Sequence, residues 1–229
     1  MSRALLYDIH GNLAALDAVL AEVAGAKVDG IVLGGDYATF GPWPRETVER
    51  LDELRDALWV RGNVDRWLVE DPELPQEARP FANAALDSAR EQLSEAQVGR
   101  LYGLPAELEA DGVLFCHGSP LSDIESFAAE PQEDEERLLA GVGRRTVVFG
   151  HSHIQFQRPG PAETHLVNPG SVGQPLDGDR RAAWALLDGG EFRLRRTEYD
   201  VERAIAQVQT QGAWAEQIVQ RLQRAKAES

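Results

Sequence analysis

Apolar runs alternate with helix-spaced apolar residues over the first 62 residues of the chain. Short strands are predicted at residues 4–9, 28–34 and 58–61. Between the first two strands, apolar side chains recur at the spacing of a helix: Leu13, Leu16, Leu20 and Val23. Val48 and Leu51 follow two prolines and predict a second helix. Strands that alternate with helices are typical of an α/β sheet with parallel strand pairs.

A helical segment then interrupts the series of strands. Residues 66–104 lack strand-like runs and predict two helices, at about 77–92 and 94–102. The segment is too short to build a hydrophobic core of its own. We therefore expect a helical insertion at about 66–104 within a single domain that spans residues 1–229.

The rest of the chain is richer in strands. Asp111-Gly112 predicts a tight hairpin between two short apolar runs, and further strands are predicted at 146–149, 164–167, 182–187 and 192–196. The acidic run 131–136 is interpreted as the solvated start of a helix. Apolar residues after position 200 share one helical face and predict a C-terminal helix at about 201–226. Together these patterns predict an α/β fold in which two mixed β-sheets pack as a sandwich flanked by helices.

Composition and charge narrow the classes of function. The chain is 43% hydrophobic and 27% charged, which is ordinary for a folded domain. Its net charge of −15 argues against stable nucleic-acid binding through a basic surface, although a short nucleotide is compatible with a metal-filled cleft. No apolar run approaches the length of a membrane span. The single cysteine, Cys116, excludes an internal disulfide and fits a reducing compartment, so we expect a cytoplasmic protein.

Metal-binding side chains stand where five predicted strands give way to loops. The segments are Asp8-Ile9-His10-Gly11-Asn12, Gly35-Asp36, Gly62-Asn63-Val64-Asp65, Cys116-His117-Gly118 and Gly150-His151-Ser152-His153. Ligands of open α/β sheets bind beyond the carboxyl ends of the strands, so five strand ends can converge on one site. In the first and last segments, alternate residues of an extended chain would point to the same side. Imidazole and carboxylate together suit manganese, iron or zinc.

Each of these residues also has a structural alternative. A single histidine is more often hydrogen-bonded in a core than bound to a metal, and an aspartate at a strand-to-helix turn often caps the helix. Asn12 fits a helix cap as well as a substrate contact, and Arg66 fits the surface as well as a phosphate contact. An aromatic set that follows Asp36 fits ordinary packing better than a nucleobase pocket: Tyr37, Phe40 and Trp43. For the set of loops as a whole, a metal site is the stronger interpretation.

The order of these motifs resembles the calcineurin-like metallophosphoesterase superfamily, in particular its small bacterial and archaeal phosphodiesterase-like branch. The resemblance extends to Leu33-Gly34-Gly35-Asp36, Phe40-Gly41-Pro42, His117-Gly118-Ser119-Pro120 and the run from Asn168 to Pro175, and it covers most of residues 1–200. It implies that one cation is held by Asp8, His10, Asp36 and His153. It implies that the other is held by Asp36, Asn63, His117 and His151.

The resemblance also implies an activity. We expect a metal-dependent phosphoric-ester hydrolase, above all a phosphodiesterase, in which a hydroxide bridging two divalent cations attacks phosphorus. Asp36 would bridge the cations with its two oxygens, and Asn63 would also contact the substrate. Manganese is the expected metal, with iron, zinc, nickel and cobalt as alternatives. The expected partner is a small phosphate ester, a nucleotide among the candidates, with no membrane contact; a homo-oligomer is compatible with the sequence.

Two other functions stay open at this point. A phosphomonoesterase or a dinucleoside-polyphosphate hydrolase would use the same site on a different substrate. A non-catalytic interaction scaffold of the same fold is the third interpretation, because the superfamily includes one with a degenerate metal site. All seven candidate ligands are retained in this chain, which favours catalysis over a scaffold role.

One position departs from the superfamily's pattern. Many relatives carry histidine where this chain has Val64, within Gly62-Asn63-Val64-Asp65. That histidine is the usual candidate for protonating the leaving oxygen or holding the phosphate, and valine does neither. Loss of a general acid costs about 10²- to 10⁴-fold in rate. We therefore predict a preference for good leaving groups, or for phosphodiesters, over alkyl monoesters.

Overall fold

Two mixed β-sheets of five strands each form the centre of the protein, and the computed structural model describes residues 1–143 and 145–226 of it. In chain order the strands are β1 (Ser2–Leu6), β2 (Gly30–Leu33), β3 (Leu58–Trp59), β4 (Glu107–Ala110), β5 (Val113–Cys116), β6 (Thr146–Val148), β7 (Phe156–Pro159), β8 (His165–Asn168), β9 (Ala182–Asp188) and β10 (Glu191–Thr197). The strand orders are β10-β9-β1-β2-β3 and β4-β5-β6-β8-β7.

Each sheet contains three adjacent parallel strands. In the first sheet β1, β2 and β3 run parallel, and β9 and β10 complete it in antiparallel pairing. In the second sheet β5, β6 and β8 run parallel, with β4 and β7 antiparallel at the two edges. The carboxyl ends of parallel strands share one edge of a sheet, which brings the loops that follow them together.

Seven α-helices accompany the sheets within the described residues. They are α1 (Leu13–Ala26), α2 (Pro44–Asp52), α3 (Asn63–Trp67), α4 (Arg79–Gln92), α5 (Glu95–Tyr102), α6 (Val201–Val208) and α7 (Ala215–Arg224). In the regions 1–143 and 145–226, none of these helices combines the length and apolar character that a membrane span needs.

The hydrophobic core lies in layers on both sides of the first sheet. Along β1, Leu5 packs between the two sheets with Val32 and Phe115, whereas Ala4 and Leu6 belong to the cluster under the helices. Successive strand residues point to opposite faces, so a strand buried on both faces is a continuous apolar run. The predicted fold class, two mixed sheets packed as a sandwich flanked by helices, is confirmed.

One interpretation of the sequence is wrong. The C-terminal segment at about 201–226 is two helices, α6 and α7, and the chain reverses near Gly212, whose φ of 113° suits glycine. Both helices face the same core cluster, so their apolar residues mimic one continuous stripe. The acidic run 131–136 agrees with its interpretation as a solvated helix start, because five of its six residues are exposed and a short 3₁₀ helix begins at Glu135. Glu135 itself is the exception: it is buried and pairs with Arg158 at 2.6 Å.

Other differences are smaller. Strand β7 was not predicted, because it is an edge strand whose residues alternate between half-buried and exposed and include a proline. The short helix α3 begins at Asn63, inside a segment whose residues suggest only a turn. The hairpin around Asp111-Gly112 pairs β4 with β5 as predicted. The division into one domain with a helical insertion at 66–104 stays a prediction.

Candidate active site

Loops after five of the parallel strands bring all seven predicted ligands to one edge of the two sheets. Strand β1 leads to Asp8 and His10, β2 to Asp36 and β3 to Asn63, while β5 and β6 in the second sheet lead to His117, His151 and His153. Six of the seven side chains are buried in the fold, and His151 is partly exposed. The site therefore joins the sheets at their shared carboxyl edge.

Asp8, His10 and His153 form the first group of converging atoms. Nε2 of His10 lies 3.0 Å from Nε2 of His153, and Oδ1 of Asp8 lies 3.4 Å from the same atom of His153. All three ligand atoms lie within 4.8 Å of one another. Ligand atoms held about 2.1 Å from one cation at angles of about 90–110° are about 3.0–3.5 Å apart. The spacing in this group therefore fits a single cation.

A second group surrounds His117. Its Nε2 lies 3.3 Å from Oδ2 of Asp36, 3.9 Å from Oδ1 of Asp8 and 2.9 Å from Oδ1 of Asn63. Oδ1 of Asn63 also lies 3.0 Å from Nδ1 of His151. His151 thus presents its Nδ1 to the site, whereas the other histidines present Nε2. Asp8 belongs to both groups, so it lies between the two candidate cation positions, as Asp36 was expected to.

Oδ2 of Asp36 lies near a histidine of each group. Oδ2 lies 3.7 Å from Nε2 of His10 and 3.3 Å from Nε2 of His117. Oδ1 instead accepts a hydrogen bond of 3.1 Å from the backbone N–H of Val64. One lone pair of Oδ1 is thus used by the start of α3, and the expectation that Asp36 bridges two cations with its two oxygens stays a prediction.

Backbone carbonyls orient three of the rings. Nδ1 of His10 donates to the Thr39 carbonyl at 2.9 Å, and Nδ1 of His153 donates to the Gln174 carbonyl at 2.7 Å. Nδ1 of His117 donates to the Gly34 carbonyl at 2.8 Å. A carbonyl can only accept, so Nδ1 carries the proton and Nε2 of a neutral ring presents its lone pair to the site.

The pKa values of three histidines in the site differ strongly from that of a free histidine. Burial lowers the pKa of His10 to about 4, with a further contribution from His153, and burial likewise lowers the pKa of His151 to about 4. Burial also acts to lower the pKa of His117, but the carboxylates of Asp36 and Asp8 outweigh it and raise the pKa to about 10. In the protein alone, a proton on His117 supplies positive charge that a bound cation would supply instead.

The ligand loops adopt left-handed backbone conformations. Five ligands have positive φ, at values from 49° to 66°: Asp8, His10, Asp36, His151 and His153. Residues other than glycine adopt this region rarely and at an energetic cost. The expected extended geometry of 8–10 and 151–153 is therefore wrong. Alternate residues reach the same site because the chain turns at each ligand.

The run from Asn168 to Gln174 holds these loops in place. The Asn168 side chain donates to the Gly150 carbonyl at 2.9 Å, and the Ser171 hydroxyl donates to the Asp8 carbonyl at 2.7 Å. Both contacts join β8 and its following loop to residues beside the ligands. The run therefore fixes the loops that carry Asp8 and His151.

Asp65 supports the site without lying in it. Its carboxylate accepts hydrogen bonds from the backbone N–H groups of Asp36, Tyr37 and Gly62, at 2.8, 3.1 and 2.9 Å. Burial and the charge of Asp36 raise the pKa of Asp65 to about 7 despite these donors. Asp65 thereby fixes the loop after β2 against the start of α3.

Two candidate substrate contacts have other roles in the structure. The Asn12 side chain is 1% exposed, accepts from the Ala15 N–H and donates to the Gly173 carbonyl, so it caps α1 instead of facing a substrate. Arg66 donates to Asp123, Glu70 and Glu73, and these three carboxylates already occupy its guanidinium. Of the three candidates, Asn63 alone lies among the converging ligand atoms.

Glycines permit the closest approaches in the site. A Cβ atom on Gly62 would lie 2.0 Å from Oδ1 of Asp36, and one on Gly150 would lie 2.4 Å from Oδ2 of Asp8. Real Cβ atoms do not approach oxygen this closely, so alanine at either position would displace a ligand carboxylate.

Comparisons with known proteins agree with this geometry. A sequence model described as the calcineurin-like phosphoesterase superfamily domain matches residues 1–190. An uncharacterized protein of Methanocaldococcus jannaschii is 28% identical over 90% of each chain, and the phosphodiesterase YfcE of Escherichia coli is 27% identical over 79% of this chain and 84% of its own. The crystal structure of a metallophosphoesterase from Sphaerobacter thermophilus superimposes with a TM-score of 0.81 at 28% identity, covering 98% of this chain and 99% of the other.

Gly62→Ala tests the tight packing around Asp36. Gly62 has a φ of −91°, which alanine adopts freely, so the contact with Asp36 is the main effect. We expect manganese affinity, measured by isothermal titration, to fall about 10- to 100-fold. Gly99→Ala is the matched control, because no atom lies within 4 Å of the added Cβ in α5 and alanine favours a helix. Unchanged manganese affinity in Gly62→Ala would contradict the assigned geometry.

Proposed function

The chain belongs to the calcineurin-like phosphoesterase superfamily and is a hydrolase of phosphoric esters, and we propose that it is a phosphodiesterase dependent on two divalent cations. The proposed ligands are the seven converging side chains: Asp8, His10, Asp36, Asn63, His117, His151 and His153. Manganese is the proposed metal, since imidazole and carboxylate ligands are mixed in both groups.

The approach of His10 to His153 carries the proposal. Both rings donate from Nδ1 to backbone carbonyls, so in the neutral forms two Nε2 lone pairs face each other across 3.0 Å. Two lone pairs at this distance repel unless a positive charge lies between them. Carboxylate Oδ1 of Asp8 lies 3.4 Å away and adds negative charge to the same point. This arrangement fits a cation better than it fits a hydrogen-bonded protein core.

Two cations bound here would supply a water of lowered pKa as nucleophile and would neutralise charge on the phosphoryl oxygens. The chain's own residues supply orientation. Asn63 turns its Oδ1 toward His117 and His151, and we assign its amide N–H groups to a phosphoryl oxygen of the substrate. The carbonyls of Thr39, Gly34 and Gln174 hold the rings so that Nε2 is the nitrogen of each that faces the site and would bind a cation.

Val64 supports a diester over an alkyl monoester as substrate. It follows Asn63 directly and lines a cavity that opens beside the site, together with His10 and His153. Its side chain has no group that could protonate a leaving oxygen. Without such an acid, an ester whose leaving group departs as a stable anion reacts best. The E. coli relative bears the name phosphodiesterase, which supports the same preference. The net charge of −15 favours a small phosphate ester over a long nucleic acid.

Manganese-dependent turnover tests this proposal. We expect bis(4-nitrophenyl) phosphate to be hydrolysed faster than 4-nitrophenyl phosphate, and hydrolysis to require added manganese. The Asp36→Asn variant should hydrolyse the diester about 10²- to 10³-fold more slowly than the unaltered protein, because the negative charge of the ligand is lost. Asp56→Asn is the matched control: Asp56 also has a left-handed backbone, with φ of 62° against 60° for Asp36, but it is exposed.

The outcomes separate the competing functions. Manganese-independent turnover, or full activity in Asp36→Asn, would contradict the proposed role of the site. Faster turnover of the monoester would favour a phosphomonoesterase. Bound manganese with no turnover of either compound would favour the scaffold interpretation.

Val64→His tests the missing acid. A histidine at this position lines the same cavity, so we expect it to raise kcat for an alkyl leaving group relative to 4-nitrophenyl by at least about tenfold, within the range of general-acid effects. Val64→Gln is the control, since glutamine is polar and of similar length but does not titrate. Kinetics of ethyl 4-nitrophenyl and diethyl phosphate give the two rates. Equal effects of histidine and glutamine would refute a general-acid explanation for the preference.

A further inference from the structure

A cavity of about 290 Å³ opens beside the seven-residue site. Five of the seven proposed ligands are among its lining residues, so the cavity and the site are continuous. The rest of its lining is mainly apolar, and we name this part the apolar subsite: Phe40, Val64, Trp67, Leu74, Phe81 and Leu176. Arg221 of α7 also lines the cavity.

The walls of the apolar subsite are fixed to the ligand loops. The rings of Phe40 and Phe81 stack with centroids 5.3 Å apart and an interplanar angle of 28°, and Phe40 lies edge-on to His10 at 6.2 Å. The Leu176 N–H donates to the His153 carbonyl at 3.1 Å. Trp67 ends α3, the helix that begins with Asn63. A group bound between these walls is therefore held at a defined distance from the ligands.

The lining of the cavity combines two kinds of side chain. Carboxylate, amide and imidazole groups of the proposed ligands line it together with aromatic and aliphatic side chains, and the Arg221 guanidinium lies 5.5 Å from the centroid of the Phe81 ring. Such a pocket suits a ligand with a charged head and an apolar body. A hydroxyl-rich body, such as a sugar or glycerol, would lose hydrogen bonds to water against these walls without replacing them.

The volume fits a ring-sized group. A dry apolar cavity of about 150 Å³ admits a benzene molecule. The cavity here, at about 290 Å³, is nearly twice as large, so its volume admits one ring together with a phosphoryl group at the proposed ligands. Val64, whose side chain cannot act as an acid, also contributes an apolar surface to the wall of the cavity.

We propose that the apolar subsite binds a ring-sized apolar group attached to the phosphorus, so that the substrates are aryl or similarly apolar phosphate esters rather than esters of sugars or glycerol. The inference rests on the proposed function, because the phosphoryl group must lie at the seven-residue site. Phe81 is then a specificity-determining residue that comes from a helix distant in sequence from every ligand.

Binding of two phosphonates tests this proposal without any turnover. Methylphosphonate and phenylphosphonate carry the same phosphoryl head, resist hydrolysis and differ in the ring. Isothermal titration into the manganese-loaded protein gives both dissociation constants. We expect phenylphosphonate to bind at least about tenfold more tightly, which is the lower end of what one hydrophobic group contributes in a fitted pocket.

Variants connect that preference to the cavity. Phe81→Ala removes one wall, and Ala78→Leu fills the cavity from the segment before α4; in both, we expect the ratio of the two dissociation constants to approach one. Phe156→Ala is the matched control. Phe156 and Phe81 are both half-buried, and each packs against another phenylalanine. An arginine guanidinium lies 5.9 Å from the ring centroid of Phe156 and 5.5 Å from that of Phe81, but Phe156 lies in β7 and does not line the cavity. The ratio of the two dissociation constants in Phe156→Ala should therefore equal that of the unaltered protein.

Three results would overturn the inference. They are equal affinity for the two phosphonates, a preference that survives both Phe81→Ala and Ala78→Leu, and failure of both phosphonates to bind. With any of these results, manganese-dependent turnover of bis(4-nitrophenyl) phosphate would leave the proposed function standing. Absence of that turnover would remove the proposed function as well.

Discussion

The structure depends on a concentration of lone pairs and negative charge at one edge of two sheets. Asp8, His10 and His153 direct their ligand atoms to one point, and Asp36, Asn63 and His117 direct theirs to a neighbouring point. Burial removes the water that would otherwise solvate these groups, so each unpaired charge is costly. Only positive charge between them relieves the repulsion. In the protein alone the proton on His117 meets part of that need, and two divalent cations would meet all of it.

Holding these groups together imposes costs on the surrounding chain. Five ligand residues adopt left-handed backbone conformations, and two neighbouring glycines are required because a Cβ would collide with a ligand carboxylate. The run after β8 and the buried carboxylate of Asp65 hydrogen-bond the strained loops from outside. The strain is tolerated because five parallel strands deliver the ligand loops to the same edge, and the run after a sixth, β8, supports them. The arrangement of parallel strands therefore determines both the fold and the position of the site.

Much of this arrangement was predictable from the sequence, and the failures have physical causes. Strand-end motifs predicted that five loops meet, because parallel strands share an edge, and the resemblance to the superfamily implied which seven side chains of those loops are ligands. Sequence could not predict that the backbone N–H of Val64 donates to Oδ1 of Asp36, nor that the Asn12 side chain caps α1. The reversal between α6 and α7 was hidden because both helices face one core. Phe81 was missed because no spacing rule connects a helix residue to loops far away in sequence.

Anomalous diffraction from crystals grown with manganese tests the site most directly. We predict two anomalous peaks per chain, roughly 4 Å apart. One should lie among Asp8, His10 and His153, the other among Asn63, His117 and His151, with Asp36 between them. No peak at this position, or peaks only at the acidic surface, would contradict a metal centre built from these side chains.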